Sequence, residues 1–139
     1  MSWAIGVADG LDAVHTLRRA VFIDEQGVPE AEEWDDLDGV AVHLLAHVGG
    51  VPVGTARLLR DGDVGRIGRV CVVRAQRGTG LGAALIRDGI ARLAADGAAV
   101  IRLGAQVQAA GFYERLGFAV SGPVYDDAGI PHHEMEQHL

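Results

Sequence analysis

Several things are scarce in this sequence, and each scarcity excludes something. A single cysteine, Cys71, among 139 residues allows no internal disulfide and fits a reducing compartment. No apolar run approaches the ~20 residues needed to cross a bilayer, so no membrane partner is expected. The opening Met1-Ser2-Trp3-Ala4-Ile5 has no basic stretch leading into an apolar one, so no signal peptide is expected and the expected location is cytoplasmic. Positive charge is in deficit: 12 Lys and Arg against 19 Asp and Glu leave a formal net charge of −7. That balance argues against a nucleic-acid binder, which needs a basic face, and is compatible with a cationic substrate. His43 and His47 have no further ligand-type residues nearby, so no metal site is expected and both read as solvent-face residues of a strand. Repeats, low-complexity segments and linkers are absent. One domain spanning residues 1–139 is expected, with a core large enough to fold alone.

What is present is an alternation of strand and helix signals. Residues 2–7 can form a short strand, with Asp9 placed as a helix N-cap and Leu11, Val14, Leu17 and Val21 at helical spacing over 11–22. Gly27 and Pro29 end that helix. Residues 30–38, Glu-Ala-Glu-Glu-Trp-Asp-Asp-Leu-Asp, are the most acidic run. They read either as a solvated loop or short helix, or as a wall attracting an amine, with Trp34 as an apolar rest. Val42, Leu44, Ala46 and Val48 alternate with polar positions except at Leu45, the pattern of a half-buried strand. Gly49-Gly50 turns the chain into a second strand over 51–60, and Asp61-Gly62-Asp63 turns it into a third over 66–73. A helix with a stripe at Ala83, Ile86, Ile90, Leu93 and Ala94 follows, stopped by Gly97. Then come a strand over 100–103, a short helix over 109–116, a strand from Phe118, a turn at 125–129 and a last strand over 130–135. The expected architecture is therefore α/β: a mostly antiparallel mixed sheet with one βαβ crossover and flanking helices.

The stretch Arg69-Val70-Cys71-Val72-Val73-Arg74-Ala75-Gln76-Arg77-Gly78-Thr79-Gly80-Leu81-Gly82 runs from strand through a glycine-rich turn into a helix. A helix start leaves backbone N–H groups unpaired and carries partial positive charge, a setting suited to phosphate. A Walker A loop is excluded, because Ala83-Ala84 stand where Lys-Ser/Thr would follow Gly82. Gly78, Gly80 and Ala83 satisfy the dinucleotide pattern G-x-G-x-x-A, but past mid-chain rather than in a first βα turn. Arg77, Gly80 and Gly82 satisfy the acyl-CoA pattern Q/R-x-x-G-x-G/A. A turn without ligand is the remaining reading.

The meander, the R-x-x-G-x-G turn, Gln106 and then Gly111-Phe112-Tyr113-Glu114-Arg115-Leu116-Gly117-Phe118 resemble, in that order, the GNAT superfamily of acetyl-CoA-dependent N-acetyltransferases. The flanks 21–29 and 129–135 are similar to a small bacterial subgroup of undefined substrate. The resemblance implies the GNAT-like fold and acetyl-CoA as cosubstrate, lying like an extra strand in a gap beside the third meander strand. It implies that backbone groups of Val70, Cys71 and Val72 pair with the pantetheine arm and acetyl carbonyl. Arg77, Gly78, Thr79, Gly80, Leu81 and Gly82 would hold the pyrophosphate, and Gln106 would supply a side-chain amide. Tyr113 is implied as the catalytic hydroxyl beside the departing thiolate.

Amine attack on a thioester develops an oxyanion that needs preorganised N–H donors, and strand backbone can supply them. A thiol near pKa ~8.5 and a tyrosine near ~10 make full proton transfer uphill by about 2 kcal/mol, so Tyr113 is read as a hydrogen-bond donor. The family's strand carboxylate is missing from residues 66–73. Glu25, Glu33, His132 and His133 are the candidates by side-chain chemistry for the substrate side and the base. Cys71 reads as a small buried hydrophobe rather than a nucleophile. The expectation is direct transfer to a small-molecule or peptide amine. The rivals are a non-catalytic acyl-CoA sensing module and a dinucleotide binder; a homodimer is allowed but not required.

Overall fold

The computed structural model describes residues 2–139. Seven strands form one sheet: β1 Ala4–Val7, β2 Val42–Val48, β3 Val51–Asp61, β4 Val64–Val72, β5 Val100–Gln106, β6 Ala119–Asp127 and β7 Ile130–His138. Their spatial order is β1-β2-β3-β4-β5-β7-β6. Every neighbouring pair is antiparallel except β4–β5, which are joined through helix α3, Leu81–Ala95. The expected α/β architecture with a single βαβ crossover is what the chain adopts.

Helices cover both faces of the central strands. On one face α3 buries Leu81, Leu85, Ile86 and Leu93 against Leu44, Ala56, Leu58, Ile67 and Ile101. Each such Leu or Ile contributes roughly 1.5–3 kcal/mol relative to exposure. Gly89 lets the helix approach closely, since a Cβ there would stand 2.9 Å from Leu58 Cδ2. On the other face α1, Asp12–Arg18, packs Val14 and Leu17 against Leu45 and Cys71. Leu44 and Leu45 thus serve opposite cores, which is why β2 departs from strict alternation. The half-buried reading of this strand is corrected, because both of its faces are covered. His43 is corrected with it: it is only 5% exposed, with Nε2 3.0 Å from the Asp38 carbonyl oxygen.

The first helix also differs from expectation. It begins at Asp12 with Leu11 at the cap and no side-chain cap, so Asp9 does not perform that role. After Arg18 it widens into a π-helical segment, Arg19–Glu25, and helix α2 follows at Glu30–Glu33. The last two strands run well beyond the residues expected of them, because β7 inserts between β5 and β6 and draws ladder partners from both.

The acidic run folds inward onto arginines. Arg18, fully buried, donates from Nε to Glu33 Oε2 at 2.8 Å and from Nη1 to Asp38 Oδ1 at 2.8 Å. Arg57 donates to Asp35 at 2.8 Å and to Asp38 at 3.1 Å, and His15 Nε2 lies 2.9 Å from Asp38 Oδ2. Trp34 packs beside the Arg18 and Arg19 guanidinium groups. The short-helix reading holds at α2 and most of the run is exposed, but Glu33 and Asp38 are buried in an ion cluster that ties this segment to α1 and β3. Burial opposes ionisation of Asp38, but hydrogen bonds from Arg18, His15 and Arg57 outweigh it, and the carboxyl is held well below its ordinary value of 3.8.

Removing one member of a buried pair leaves its partner uncompensated, so Arg18→Met should destabilise the fold by about 3–5 kcal/mol in urea denaturation. Because Asp38 ionises more readily folded than unfolded, its stabilisation is complete above its ordinary value and is lost as pH falls below it. The variant should lose that part of the acid dependence.

Candidate active site

Strand β4 is held to β5 by three residue pairs, Val64–Val100, Gly65–Ile101 and Arg66–Arg102. Beyond them the two strands part. β5 stays with β7 as far as the Gln106–His132 pair, whereas β4 stays with β3. The register of β3 and β4 shifts between Thr55 and Arg57, and opposite that shift Arg69 takes a left-handed φ of 49°. The bulge bends β4 away and opens a cleft of about 370 Å³. The Val73 N–H donates to the Val53 carbonyl at 2.9 Å. Strand alternation therefore points the N–H groups of Val72 and Val70 into the gap, and turns the backbone of Cys71 toward β3.

Beyond the gap the chain of β4 continues through the turn at 73–80 to the start of α3. Gly78 and Gly80 have φ of 76° and 92°, a region closed to most L side chains, and Gly80 caps the helix. Ala84 has the first N–H with an intrahelical acceptor, the Gly80 carbonyl at 3.0 Å, so those of Leu81, Gly82 and Ala83 have none among the described residues. Space above them is open: a Cβ on Gly78 would meet nothing within 4 Å, and one on Gly80 would meet only Trp3, at 3.8 Å. Thr79 braces the turn by donating its hydroxyl to the Gln76 carbonyl at 2.6 Å.

Arg77 lies beside this turn but is engaged. It donates from Nε to the Val72 carbonyl at 3.1 Å and from Nη2 to Glu25 Oε2 at 2.7 Å. Arg77 and then Arg74 hold the Glu25 carboxyl down at about 2 against the opposing effect of desolvation. Glu25 is therefore a counter-ion of Arg74 and Arg77 and a poor proton acceptor. Glu33 is 2% exposed and bonded to Arg18, so it too is committed to structure.

The other end of the cleft gathers side chains from six segments. Tyr113 comes from α4, Ala110–Arg115, and Gln106 from the end of β5. Phe22 and Gln26 come from the π-helical segment and its exit, Arg69 from the bulge, and Tyr125 and His132 from β6 and β7. The Tyr113 ring is fixed edge-on against Phe112 and Phe118, and burial raises its pKa. Its hydroxyl has no hydrogen-bond partner among the described residues. His132 Nδ1 is 2.7 Å from the Ile130 carbonyl oxygen, which can only accept, so Nδ1 carries the proton and Nε2 is the free acceptor of the neutral ring. His133 takes the opposite face of β7, with Nδ1 3.4 Å from the Gly122 carbonyl oxygen. Gln106 is bonded to Gln26 and Gln108.

Tyr125 and Arg69 were not among the sequence candidates. Tyr125 was legible in principle, because a two-residue turn at Ala128-Gly129 pairs it with His132, on which it stacks. A Cβ on Gly104 would collide with its hydroxyl, so β5 is bare where Tyr125 crosses it. No local pattern reveals Arg69, whose placement depends on a bulge set by the neighbouring strand.

This arrangement can be compared with known proteins. The profile of the acetyltransferase (GNAT) domain matches residues 11–139. The chain belongs to the GNAT family of acetyltransferases. The N-acetyltransferase YjcF of Bacillus subtilis, itself uncharacterized, is 39% identical over 121 residues, covering 86% of each chain. The structure of an acyl-CoA N-acyltransferase from Pseudomonas aeruginosa superposes with a TM-score of 0.83 at 34% identity over 98% of both chains. A GNAT acetyltransferase from Elizabethkingia anophelis, solved with acetyl-CoA bound, shares the fold at a TM-score of 0.76 and 15% identity over 99% of this chain and 98% of that one. Among the described residues no cluster suited to a metal ion occurs, and no helix is long and apolar enough to cross a membrane.

In this GNAT chain Cys71 lies with Val14, Leu17 and Leu45, and burial pushes its thiol up to about 12. The native protein should therefore resist alkylation by iodoacetamide at pH 8, and mass spectrometry should show rapid labelling only after unfolding.

Proposed function

We propose that this protein transfers an acetyl group from acetyl-CoA to a primary amine by direct attack, with both substrates bound together. One observation carries this reading: the free edge of β4 is followed, through the turn at 73–80, by the unpaired first turn of α3. Such an edge can hold an extended amide-bearing arm as an added strand, and the helix start beyond it can hold a diphosphate. Val70 and Val72 would pair with the arm, and Gly78, Thr79, Gly80, Leu81 and Gly82 would surround the diphosphate. Arg77 would meet the same anion only by sharing or leaving Glu25. The acetyl-CoA held by the Elizabethkingia anophelis protein of the same fold supports the choice of ligand.

Acetyl-CoA supplies an activated thioester. Backbone N–H groups at the β4 bulge are suited to stabilise charge on its carbonyl oxygen. Tyr113 would donate a hydrogen bond to the departing sulfur; its raised pKa makes donation of a hydrogen bond, rather than of the whole proton, its better role. His132 would accept the amine proton at Nε2 while the Ile130 carbonyl holds Nδ1–H and fixes the ring. Glu25 and Glu33 drop out as bases because arginines hold both, and His133 because it faces away.

Gly80→Glu places bulk and negative charge in the turn. It should abolish acetyl-CoA binding by isothermal titration calorimetry while the melting transition persists; unchanged affinity would refute the cradle. Tyr113→Phe should lower kcat about ten- to a hundredfold with little change in acetyl-CoA affinity. His132→Ala should lower kcat about a hundredfold or more, and added imidazole should restore part of that loss. A purely structural histidine would show no such rescue.

A further inference from the structure

The acceptor end of the cleft opposes the charge of the whole chain. The protein carries a net charge of −7, yet Arg57, Arg66 and Arg69 line this cleft together with His132, against Asp127 as its acidic side chain. Two of the three arginines are satisfied. Arg57 is bonded to Asp35 and Asp38, and Arg66 is paired through two nitrogens with Glu134 at 2.8 and 3.2 Å.

Arg69 is different. Its Nε is buried with no hydrogen-bond partner. The nearest carboxylate oxygen, Glu33 Oε2 at 3.3 Å, is out of line for a hydrogen bond and already accepts from Arg18 Nε at 2.8 Å. No acceptor meets its terminal nitrogens among the described residues. Its backbone holds a left-handed φ of 49° at the bulge, a conformation non-glycine residues rarely keep without a reason. The side chain forms part of the wall between the main cleft and a small side pocket bordered by Gln26, Glu32, Gln106 and His132. Arg69 thus sits on β4 itself, paired with Glu33 by charge but without a hydrogen bond at Nε and with no acceptor on its terminal nitrogens, and such a planar set of donors is suited to a planar anion.

We propose that Arg69 binds a carboxylate on the acceptor, so that the substrate is an amine that also carries a carboxylate. This rests on the acetyl transfer proposed above and names its acceptor class. A carboxylate is preferred to a phosphate because Glu32, Glu33 and Asp127 border the same wall and would repel a second negative charge. Gln26 and Gln106, already bonded to each other, can orient the rest of the molecule without adding charge.

The test measures kcat/KM by thiol release for amino acids, their α-amides and short dipeptides with a free C-terminal carboxylate. The wild-type protein should favour acids over amides by about ten- to a hundredfold, the worth of a charge-assisted hydrogen bond. Comparison of amino acids with dipeptides then identifies which source of the carboxylate fits. In Arg69→Gln that acid-to-amide ratio should fall toward one, and Arg69→Lys, which keeps the charge but loses the fork, should lie between. The wild-type ratio needs no variant, so a folding defect in either substitution leaves the test intact. Amides accepted as well as acids would overturn the carboxylate while leaving acetyl transfer standing. An acid preference that survives both substitutions would overturn the assignment to Arg69. Failure to acetylate any member despite binding of acetyl-CoA would overturn this inference and the proposed reaction together.

Discussion

Three residue pairs join β4 to β5, and the site exists because there are only three. A parallel pair normally continues while both backbones can find partners, since an unpaired strand edge is costly away from water. Here each strand has a better partner on its other side. β5 runs with β7 for seven residues, and β4 follows β3 through a bulge at Arg69. The sheet opens like a wedge beyond Arg66, and the chain of β4 goes on through the turn at 73–80 to a helix start with unpaired N–H groups. Widening the pairing by four residues would close the cleft and bury Val70 in a ladder.

That opening has to be held from outside, and the ion cluster around Arg18 does so. The cluster ties α2 to α1 through Glu33, and to β3 through Asp38 and Arg57. Glu33 also stands 3.3 Å from Arg69 Nε, so the same carboxylate that fixes the helices borders the cleft wall. A buried ion pair contributes little net stability against an apolar substitute, but it fixes relative positions strictly because a misplaced charge is so unfavourable. The π-helical segment serves the same end, with Phe22 lining the cleft and Glu25 reaching Arg74 and Arg77.

What could be read from the chain in advance was local. The glycine-rich turn, the start of α3 and the placement of Tyr113 on a short helix depend on neighbours in sequence, and motif order carried the family. Contacts between distant segments were not legible. The acidic run from Glu30 to Asp38 looked like a solvated or substrate-facing surface because its counter-ions, Arg18, Arg57 and Arg69, lie on three other elements. His43 looked exposed because alternation alone does not say whether a helix covers the second face of a strand. Glu25 looked available as a base because nothing in its neighbourhood announces Arg74 and Arg77, some fifty residues on. The extent of β6 and β7 was underestimated for a related reason: their ladders are supplied by β5 and by each other across Ala128-Gly129, not by β-branched composition.

The distribution of unmade hydrogen bonds separates what is structural from what is functional in this molecule. Folding usually pairs buried donors, and each one left unpaired costs about 1–3 kcal/mol. Among the described residues Arg69 Nε is a buried side-chain donor without a hydrogen bond that lines the cleft, and the Tyr113 hydroxyl and His132 Nε2, also without partners, belong to residues of the same lining. The other buried side-chain atoms without a partner among the described residues, His43 Nδ1 and Gln137 Oε1, do not line it. A chain that completes an ion cluster of arginines and carboxylates a few ångströms away could have satisfied Arg69 in the same manner. That it holds Arg69 in a disfavoured backbone conformation with no hydrogen bond at Nε places the cost where a bound molecule can offset it, on the cleft wall between β4 and His132.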